Sequence, residues 1–229
     1  MSARPPAALL FDFGGTLDAE GVAWKTRFAR LWREESGDVD AGVFDRAFYG
    51  ADDALVGRLA PDTTLSETVR RLAEGLAERL PARDAEAARR VAQRFCEESR
   101  AQLAGSAALF SRLAQRHRLG IVSNFYGNLA AVCAEAGLAP HLSAAIDSSA
   151  VGFQKPDVRI FRAALDALGA RAQETVFIGD SPERDMAGAR GAGLRHVLLA
   201  AADRAGPLSG CCPDDRVIRR LADLPEAIA

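Results

Sequence analysis

The stretch LLFDFGGTLD, residues 9–18, joins an unbroken apolar run to an aspartate, two glycines and a threonine. An apolar run without polar alternation is typical of a strand buried on both faces of a parallel sheet. The glycines that follow Asp12 indicate an abrupt turn at the end of that strand. The stretch therefore predicts a buried strand whose carboxyl end presents Asp12.

Further apolar runs bounded by turn residues recur along the chain: LGIVSN, SAAID, TVFIGD and RHVLLA. Helical patterns lie between them, at residues 127–136, 157–168 and 183–191. Strands that alternate with helices in this way predict an α/β fold with a doubly wound, Rossmann-like parallel sheet.

The interval from residue 20 to residue 105 has a different pattern, with no convincing strand. Apolar residues recur there at helical spacing in two stripes: Trp24, Phe28, Leu31 and Trp32, and then Val69, Leu72, Leu76 and Leu80. Thr64 and Asp84 are in position to cap two of its helices. We therefore predict an α/β core of residues 1–19 and 106–229, with residues 20–105 inserted as an all-helical cap.

The composition argues against several kinds of partner. The 229 residues carry a formal net charge of −2, with acidic and basic residues interspersed. This balance favours neither a nucleic-acid-binding stripe nor a membrane-binding face. The first residues, MSARPPAALLFDF, lack the apolar length of a secretory signal or membrane span, which predicts a cytoplasmic protein. We expect a small-molecule partner, and both a monomer and a homodimer stay open.

Cysteine and lysine usage adds two observations. The four cysteines match no metal-ligand spacing and are predicted to be reduced structural thiols: Cys96, Cys133, Cys211 and Cys212. Nearly all basic residues are arginine, and the only lysines are Lys25 and Lys155. A lysine kept in such a chain suggests a use for its compact ammonium group.

Polar residues that can carry chemistry stand where the predicted strands end. Asp12 follows LLF, Ser123 follows LGIV and Asp180 follows TVFIG, while Lys155 lies in the loop GFQKPD. Ligands of open α/β sheets bind outside the carboxyl ends of the strands. We therefore expect a nucleophile, a hydroxyl, a second carboxylate and a cation at one edge of the sheet.

These residues resemble the motifs of the haloacid dehalogenase-like hydrolases. DFGGT is similar to their first motif, Ser123 to the second, Lys155 in KPD to the third and GDSPERD to the fourth. The four motifs occur in the family's order, and the helical interval is similar to the family's C1-type cap. The resemblance implies a Mg²⁺-dependent hydrolase that cleaves a small phosphorylated metabolite.

The resemblance also implies a role for each matching residue. Asp12 would attack phosphorus and form an aspartyl-phosphate that water later hydrolyses. Lys155 would neutralise charge on the nucleophile and on the transferring group. The Ser123 hydroxyl and the Asn124 amide would hold phosphoryl oxygens, and Thr16 would orient the loop or donate to the phosphate.

The metal set follows from the same resemblance. Mg²⁺ takes oxygen ligands and keeps several waters. Asp12 and Asp180 would supply carboxylates, and the third ligand would be the backbone carbonyl of Gly14. Asp185 would complete the acidic set from the outer shell by fixing a metal water or Lys155.

Gly14 departs from the pattern of the family. Ordinary phosphatases of the family usually carry a second aspartate there, which protonates the leaving oxygen and then activates the attacking water. A positioned acid or base contributes about 10²- to 10⁴-fold to rate. Its absence predicts impaired or specialised hydrolysis.

Three interpretations of Gly14 stay open. The first is a phosphatase whose leaving group needs little protonation, or whose acid comes from Asp18 or Glu20. The second is a relative that cleaves a carbon–halogen or a C–P bond. The carboxylates kept in GDSPERD favour the phosphonatase-like C–P enzyme of these two, for which Lys25 is the available cap lysine and a candidate substrate contact. The third is a catalytically inactive protein that keeps the fold to bind a ligand.

Overall fold

The computed structural model describes residues 5–202 and 216–229 of the chain. Six strands form one parallel sheet in the order β3-β2-β1-β4-β5-β6. The strands are β1 (Ala8–Phe11), β2 (Arg118–Ser123), β3 (Ala144–Asp147), β4 (Thr175–Gly179), β5 (Arg195–Leu199) and β6 (Arg216–Ile218). The first five coincide with the predicted apolar runs, whereas β6 has three residues and is too short to give a pattern.

Helices pack on both faces of this sheet. They are α1 (Trp24–Ser36), α2 (Ala41–Leu55), α3 (Leu65–Arg79), α4 (Ala85–Leu113), α5 (Leu129–Glu135), α6 (Ser148–Val151), α7 (Val158–Leu168), α8 (Ala187–Gly191) and α9 (Leu224–Ala227). The predicted α/β fold with a doubly wound parallel sheet is confirmed.

Strand β1 is buried on both faces, as its unbroken apolar run predicts. Leu9 and Phe11 join the core cluster that contains α5 and the end of α4, whereas Leu10 joins the cluster that contains α7. All three side chains are fully buried. Burial of one such side chain contributes about 1.5 to 3 kcal/mol, so both layers hold the strand that leads to Asp12.

Helices α1 to α4 occupy the chain between β1 and β2. The stripe predicted in α3 is buried at every position, and in α1 only Trp24 of its stripe stays partly exposed. Helix α4 continues to Leu113 and packs Phe110 against Phe11, with ring centroids 4.7 Å apart. The boundary predicted between residues 105 and 106 therefore lies inside a helix, and the division into core and cap stays a prediction.

The predicted caps of this interval are confirmed. The Thr64 side chain accepts a hydrogen bond from the Glu67 N–H at the start of α3, at 3.2 Å. The Asp84 side chain accepts one from the Ala87 N–H at the start of α4, at 2.8 Å. Each cap satisfies a backbone donor that has no partner within its helix.

Two helices differ from the predicted bounds. The helix predicted at 127–136 begins at Leu129, because Gly127 has a φ of 106°, which is not helical. The N–H groups of Gly127 and Leu129 donate to the Asp147 carboxylate. The helix predicted at 183–191 is a π-helical turn over Pro182–Met186 followed by the short α8. In that turn the N–H groups of residues 185 and 186 both donate to the Ser181 carbonyl.

Two other expectations concern membranes and cysteines. Among the helices in the described ranges, none has the length and apolar character needed to cross a membrane. Cys96 and Cys133 are free and buried, and burial raises the pKa of the Cys133 thiol to about 12. Cys211 and Cys212 lie outside the described residues.

Candidate active site

The order in which the chain adds strands to the sheet reverses between two neighbouring strands, β1 and β4. The chain runs outward from β1 through β2 to β3 on one side, and from β4 through β5 to β6 on the other. Such a switch point leaves a crevice at the carboxyl ends of the strands. Asp12 follows β1, Asp180 follows β4 and Ser123 ends β2, so all three residues lie at this edge.

The Asp12 carboxylate is held by three donors. The Lys155 ammonium donates to Asp12 Oδ1 at 2.5 Å, and the Ser123 hydroxyl donates to the same oxygen at 3.2 Å. The Thr16 hydroxyl lies 3.3 Å from Asp12 Oδ2 and 3.2 Å from Asp180 Oδ1. Asp12 is 5% exposed and Lys155 4% exposed. One carboxylate is therefore fixed in orientation at the bottom of the crevice.

Asp185 forms the second contact of Lys155. Lys155 Nζ lies 2.7 Å from Asp185 Oδ1, an ion pair without hydrogen-bond alignment, and the Ser181 N–H donates to Asp185 Oδ2 at 3.0 Å. One carboxylate oxygen from each of Asp12, Asp180 and Asp185 lies within 4.8 Å of the other two. Three acids thus surround a single ammonium group.

Asn124 contacts the lysine loop. Its Oδ1 accepts from the Lys155 N–H at 2.7 Å, and its Nδ2 donates to the Lys155 carbonyl at 3.1 Å. Both ends of the side-chain amide are therefore used on the backbone of Lys155. This arrangement holds the backbone of Lys155 beside the end of β2, and the predicted contact of Asn124 with phosphate stays a prediction.

The loop after Asp12 requires glycine at position 15. Gly15 has φ of 95°, and a Cβ there would lie 2.7 Å from Asp180 Oδ2. A side chain would meet both the strain of positive φ and this carboxylate. The Gly15 N–H donates to Asp18 Oδ1 at 2.7 Å, which closes the turn.

Gly14 faces the indole of Trp24 at the start of α1. A Cβ at position 14 would lie 3.2 Å from Trp24 Nε1 and 3.5 Å from two other indole atoms. The Trp24 N–H donates to Asp18 Oδ2 at 2.9 Å, which fixes the ring in this place. A side chain at position 14 would therefore need the indole to move by a few tenths of an ångström.

Asp18 is fully buried and accepts several hydrogen bonds. Besides Trp24, the Arg27 guanidinium donates to its Oδ2 at 2.8 Å and the Ser99 hydroxyl at 3.1 Å. These contacts join the loop after β1 to α1 and α4. Glu20, the other acid considered as a proton donor, accepts instead from the Leu221 N–H at 3.3 Å. Both carboxylates are thus engaged away from the crevice.

A pocket opens over the acidic cluster and encloses about 770 Å³ between protein atoms, its open mouth included. Its lining combines the carboxyl ends of the strands with α1 and α2: Asp12, Gly14, Ala23, Trp24, Lys25, Phe48, Tyr49, Asp52, Ser123, Asn124, Phe125, Tyr126, Lys155, Asp180, Ser181, Arg184 and Asp185. Lys25 lies on this wall, where its ammonium pairs with Asp45 of α2 at 2.8 and 3.0 Å. The described site is therefore acidic at its base and aromatic on its walls.

The chain matches the family model for haloacid dehalogenase-like hydrolases over residues 6–193. The chain belongs to the haloacid dehalogenase-like hydrolase family. It is similar to the phosphoserine phosphatase of Thermus thermophilus, with 48% identity over 28% of this chain and 26% of that protein. It is also 31% identical to the phosphoglycolate phosphatase of Caulobacter vibrioides over 63% of this chain and 64% of that one.

The chain thus spans less than two thirds of the length of these curated relatives. Among solved structures, it is similar to magnesium-bound YfnB from Bacillus subtilis, with 23% identity and a TM-score of 0.60. That match covers 98% of this chain and 99% of YfnB. At this identity the likeness shows the fold alone.

The charges of this haloacid dehalogenase-like hydrolase are out of balance at the site. Burial, reinforced by the carboxylates of Asp12 and Asp185, raises the pKa of Asp180 well above its usual range. Burial also raises the pKa of Asp185, although Lys155 opposes the rise. Burial alone would lower the pKa of Lys155, but Asp12 and Asp185 together raise it. The ammonium group therefore stays charged, while the acids resist simultaneous ionisation.

The donor set fits a hard divalent cation. Three ionised carboxylates against one ammonium group would leave two buried negative charges in excess. A divalent cation would cancel that excess, and carboxylate oxygens are the ligands that Mg²⁺ takes. The site of this family member therefore has the charge and the oxygen donors for such an ion.

Sequence reasoning missed two parts of the site. Helical spacing marked Trp24 as a packing residue, and it gave no sign that the indole faces Gly14. Asp52 was not considered, although it lies on the pocket wall and accepts a hydrogen bond from the Tyr126 hydroxyl at 2.5 Å. Its position one helical turn after Phe48 and Tyr49 is the signal that could have indicated it.

Proposed function

We propose that this chain is a Mg²⁺-dependent phosphoester hydrolase in which Asp12 is the nucleophile. The observation that carries the proposal is the fixed Asp12 carboxylate, held by Lys155, Ser123 and Thr16 inside a pocket that also contains two further acids. Phosphoryl transfer depends mainly on positioning and charge stabilisation. This site supplies both.

The reaction proceeds in two displacements at phosphorus. A carboxylate oxygen of Asp12 forms a bond to phosphorus, and the ester P–O bond breaks with its electron pair on the leaving oxygen. Water then attacks phosphorus, the bond to Asp12 breaks, and a proton of that water neutralises the released alcohol oxygen. The products are an alcohol and inorganic phosphate, and Asp12 is regenerated.

The other residues act on charge and position. Lys155 withdraws charge from Asp12 and from the phosphoryl oxygens, while Asn124 keeps the lysine loop in place. Ser123 and Thr16 orient the nucleophile and are close enough to donate to a bound phosphoryl group. These roles need no motion of the strands that carry them.

Asp12, Asp180, Asp185 and the carbonyl of Gly14 would hold Mg²⁺. When bound, the ion supplies positive charge that offsets the charge of the phosphoryl oxygens. The close set of buried acids supports this assignment. It also explains why the chain keeps three carboxylates around a single ammonium group.

Residues 20–105 would act as a C1-type cap that closes the pocket and selects the substrate, a small phosphorylated metabolite. The support is that α1 and α2 supply one wall, with Trp24, Phe48 and Asp52 among its residues. A closed wall excludes water and keeps the reacting groups aligned. The cap would continue into α4, whose last turns pack against one face of the sheet.

The ion pair between Lys25 and Asp45 argues against the C–P cleavage alternative. Both oxygens of Asp45 accept from its ammonium, and this hydrogen bond raises the pKa of Lys25. A Schiff base needs a neutral amine, and a raised pKa reduces the neutral fraction. Lys25 therefore stays a candidate substrate contact on the pocket wall.

The metal assignment predicts a thermal shift. Mg²⁺ at 100 times its dissociation constant is expected to raise the unfolding midpoint by about 5 to 10 °C, because a ligand of the folded state adds to its stability. Asp180→Asn is expected to remove most of the shift, whereas Asp166→Asn, an exposed acid on α7, keeps it. Differential scanning fluorimetry measures both.

The same samples test hydrolysis. The wild-type protein is expected to release inorganic phosphate from acetyl phosphate only when Mg²⁺ is present. A midpoint that does not respond to Mg²⁺, with no phosphate released, would contradict the proposal. A normal thermal shift without turnover would favour the non-catalytic, ligand-binding interpretation.

A further inference from the structure

We propose that the substrate of this pocket is a phosphate monoester of a phenol-like alcohol, whose ring lies against Trp24 and Tyr49. The inference rests on the proposed function, because it assigns the leaving group of the same reaction. It follows from two features of the site: Gly14 itself carries no proton donor, and aromatic residues line the same pocket as Asp12.

The Trp24 indole narrows the space beside Gly14. Its Nε1 would lie 3.2 Å from a Cβ at position 14, a tight contact that requires a small shift of the ring. Asp18 cannot turn toward the pocket, because Trp24 and Arg27 donate to one of its oxygens and the Gly15 N–H to the other. Asp18 and Glu20, the two acids that follow this loop, are not among the residues that line the pocket.

Five aromatic residues are among those that line the pocket, and Tyr49 is the most exposed of them: Trp24, Phe48, Tyr49, Phe125 and Tyr126. The Trp24 ring meets Phe125 edge-on at 5.9 Å and Phe95 at 5.1 Å, so its orientation is set by packing as well as by Asp18. A wall that is ordered before binding costs little entropy when a ring docks on it. Planar rings gain from such offset or edge-on contacts.

The two features agree chemically. When Asp12 attacks phosphorus, the electron pair of the breaking P–O bond moves to the leaving oxygen. A phenol-like oxygen spreads that charge over its ring and departs as an anion, which later takes a proton from water. An alkyl oxygen cannot do so and needs a proton during bond cleavage. The site therefore favours the ester whose ring it can also bind.

Asp52 is the competing proton donor. Burial raises its pKa, opposed by the hydrogen bond from Tyr126 and by Arg184, while neighbouring Asp53 adds to the rise. Its Oδ1 accepts from the Tyr126 hydroxyl, which ties α2 to the loop after β2. This contact gives Asp52 a positioning role on the wall, and a variant can test whether it also donates a proton.

The experiment compares phenyl, ethyl and acetyl phosphate with the full-length protein and Mg²⁺. Acetyl phosphate needs neither a proton donor nor a ring, so it reports the phosphoryl chemistry alone. We expect kcat/KM for phenyl phosphate to exceed that for ethyl phosphate by about 10²-fold or more, the usual contribution of the missing acid. Comparable values for the two esters would overturn the proposal.

Tyr49→Ala tests the ring contact, since Tyr49 is 48% exposed and its removal leaves the core intact. We expect the ratio of kcat/KM for phenyl over acetyl phosphate to fall about 3- to 10-fold. Val56→Ala, also 48% exposed but outside the pocket, should leave this ratio unchanged. Equal ratios in Tyr49→Ala and wild type would overturn the ring assignment.

Asp52→Asn separates the two proton-donor accounts. A selective loss on ethyl phosphate would make Asp52 the acid and overturn the proposal, whereas equal effects on ethyl and phenyl phosphate support it. Turnover of acetyl phosphate without turnover of phenyl phosphate would overturn the substrate class alone. No turnover of either would overturn the proposed function, and this inference with it.

Discussion

Asp12→Asn is expected to lower kcat for phenyl phosphate by about 10⁴-fold or more, as loss of a covalent nucleophile does in other enzymes. Asparagine has nearly the same shape, so Ser123 can still contact the side chain, but the amide cannot attack phosphorus. Asp53→Asn is the matched control, because Asp53 is an exposed acid outside the pocket. It should keep wild-type activity.

The comparison needs a check of folding, because Asp12→Asn also removes a partner of Lys155. The ammonium group keeps its contact with Asp185, at 2.7 Å, so the variant should still unfold cooperatively. A thermal midpoint measured on the same samples separates lost chemistry from lost structure. A folded Asp12→Asn variant with more than about one hundredth of wild-type kcat would contradict the role of nucleophile.

Restoring an acid at position 14 is expected to require a change at Trp24 as well. Gly14→Asp alone places its Cβ 3.2 Å from the indole nitrogen, so the new carboxylate is displaced from the leaving oxygen. In Gly14→Asp with Trp24→Leu, the smaller apolar side chain leaves room for it. We expect the double variant to gain about 10²-fold in kcat/KM on ethyl phosphate and far less in kcat/KM on phenyl phosphate, because kcat/KM reports only the steps up to departure of the alcohol.

The single variants are the controls for that result. Trp24→Leu alone should gain nothing on ethyl phosphate, because it makes room without supplying an acid. A Gly14→Asp single variant that gains as much as the double variant would show that the indole does not obstruct position 14. A gain of equal size on both esters would contradict the account of the missing acid.

The fold and the position of the site followed from sequence because they depend on short-range pattern and topology. Unbroken apolar runs such as the one before Asp12 indicate buried parallel strands, and the ends of such strands meet at one edge. Asp12, Ser123 and Asp180 could therefore be placed together before any distance was known. Three-residue β6 carries too few residues for a pattern, and it was missed.

The walls of the pocket depend on packing between distant segments, which periodicity does not encode. Trp24 shares the apolar spacing of α1, but spacing does not tell which member of a stripe faces a crevice. Lys25 donates to Asp45 on another helix, and Arg27 donates to both Asp18 and Ser99. Such pairs follow from how α1 lies against α2 and α4.

Asp18 shows that position in the sequence alone does not tell which acid can act as a proton donor. Its place near Gly14 suggested a replacement proton donor, yet it is fully buried in an ion pair with Arg27. Removing one partner of such a buried pair usually costs about 3 to 5 kcal/mol. We therefore expect Asp18 to connect the loop after Asp12 to α1 rather than to act as the proton donor.

The central claim is that Asp12 accepts the phosphoryl group at a site where position 14 supplies neither an acid nor a base. With a phenol-like leaving group, the first displacement needs no proton donor. The attack of water in the second displacement still lacks a base, so the aspartyl-phosphate should accumulate. Rapid-quench kinetics with ³²P-labelled phenyl phosphate and Mg²⁺ measures this directly. We predict a burst of about one phenol per site, with label on Asp12 that hydroxylamine removes. Linear phenol release with no label on Asp12 would contradict the account.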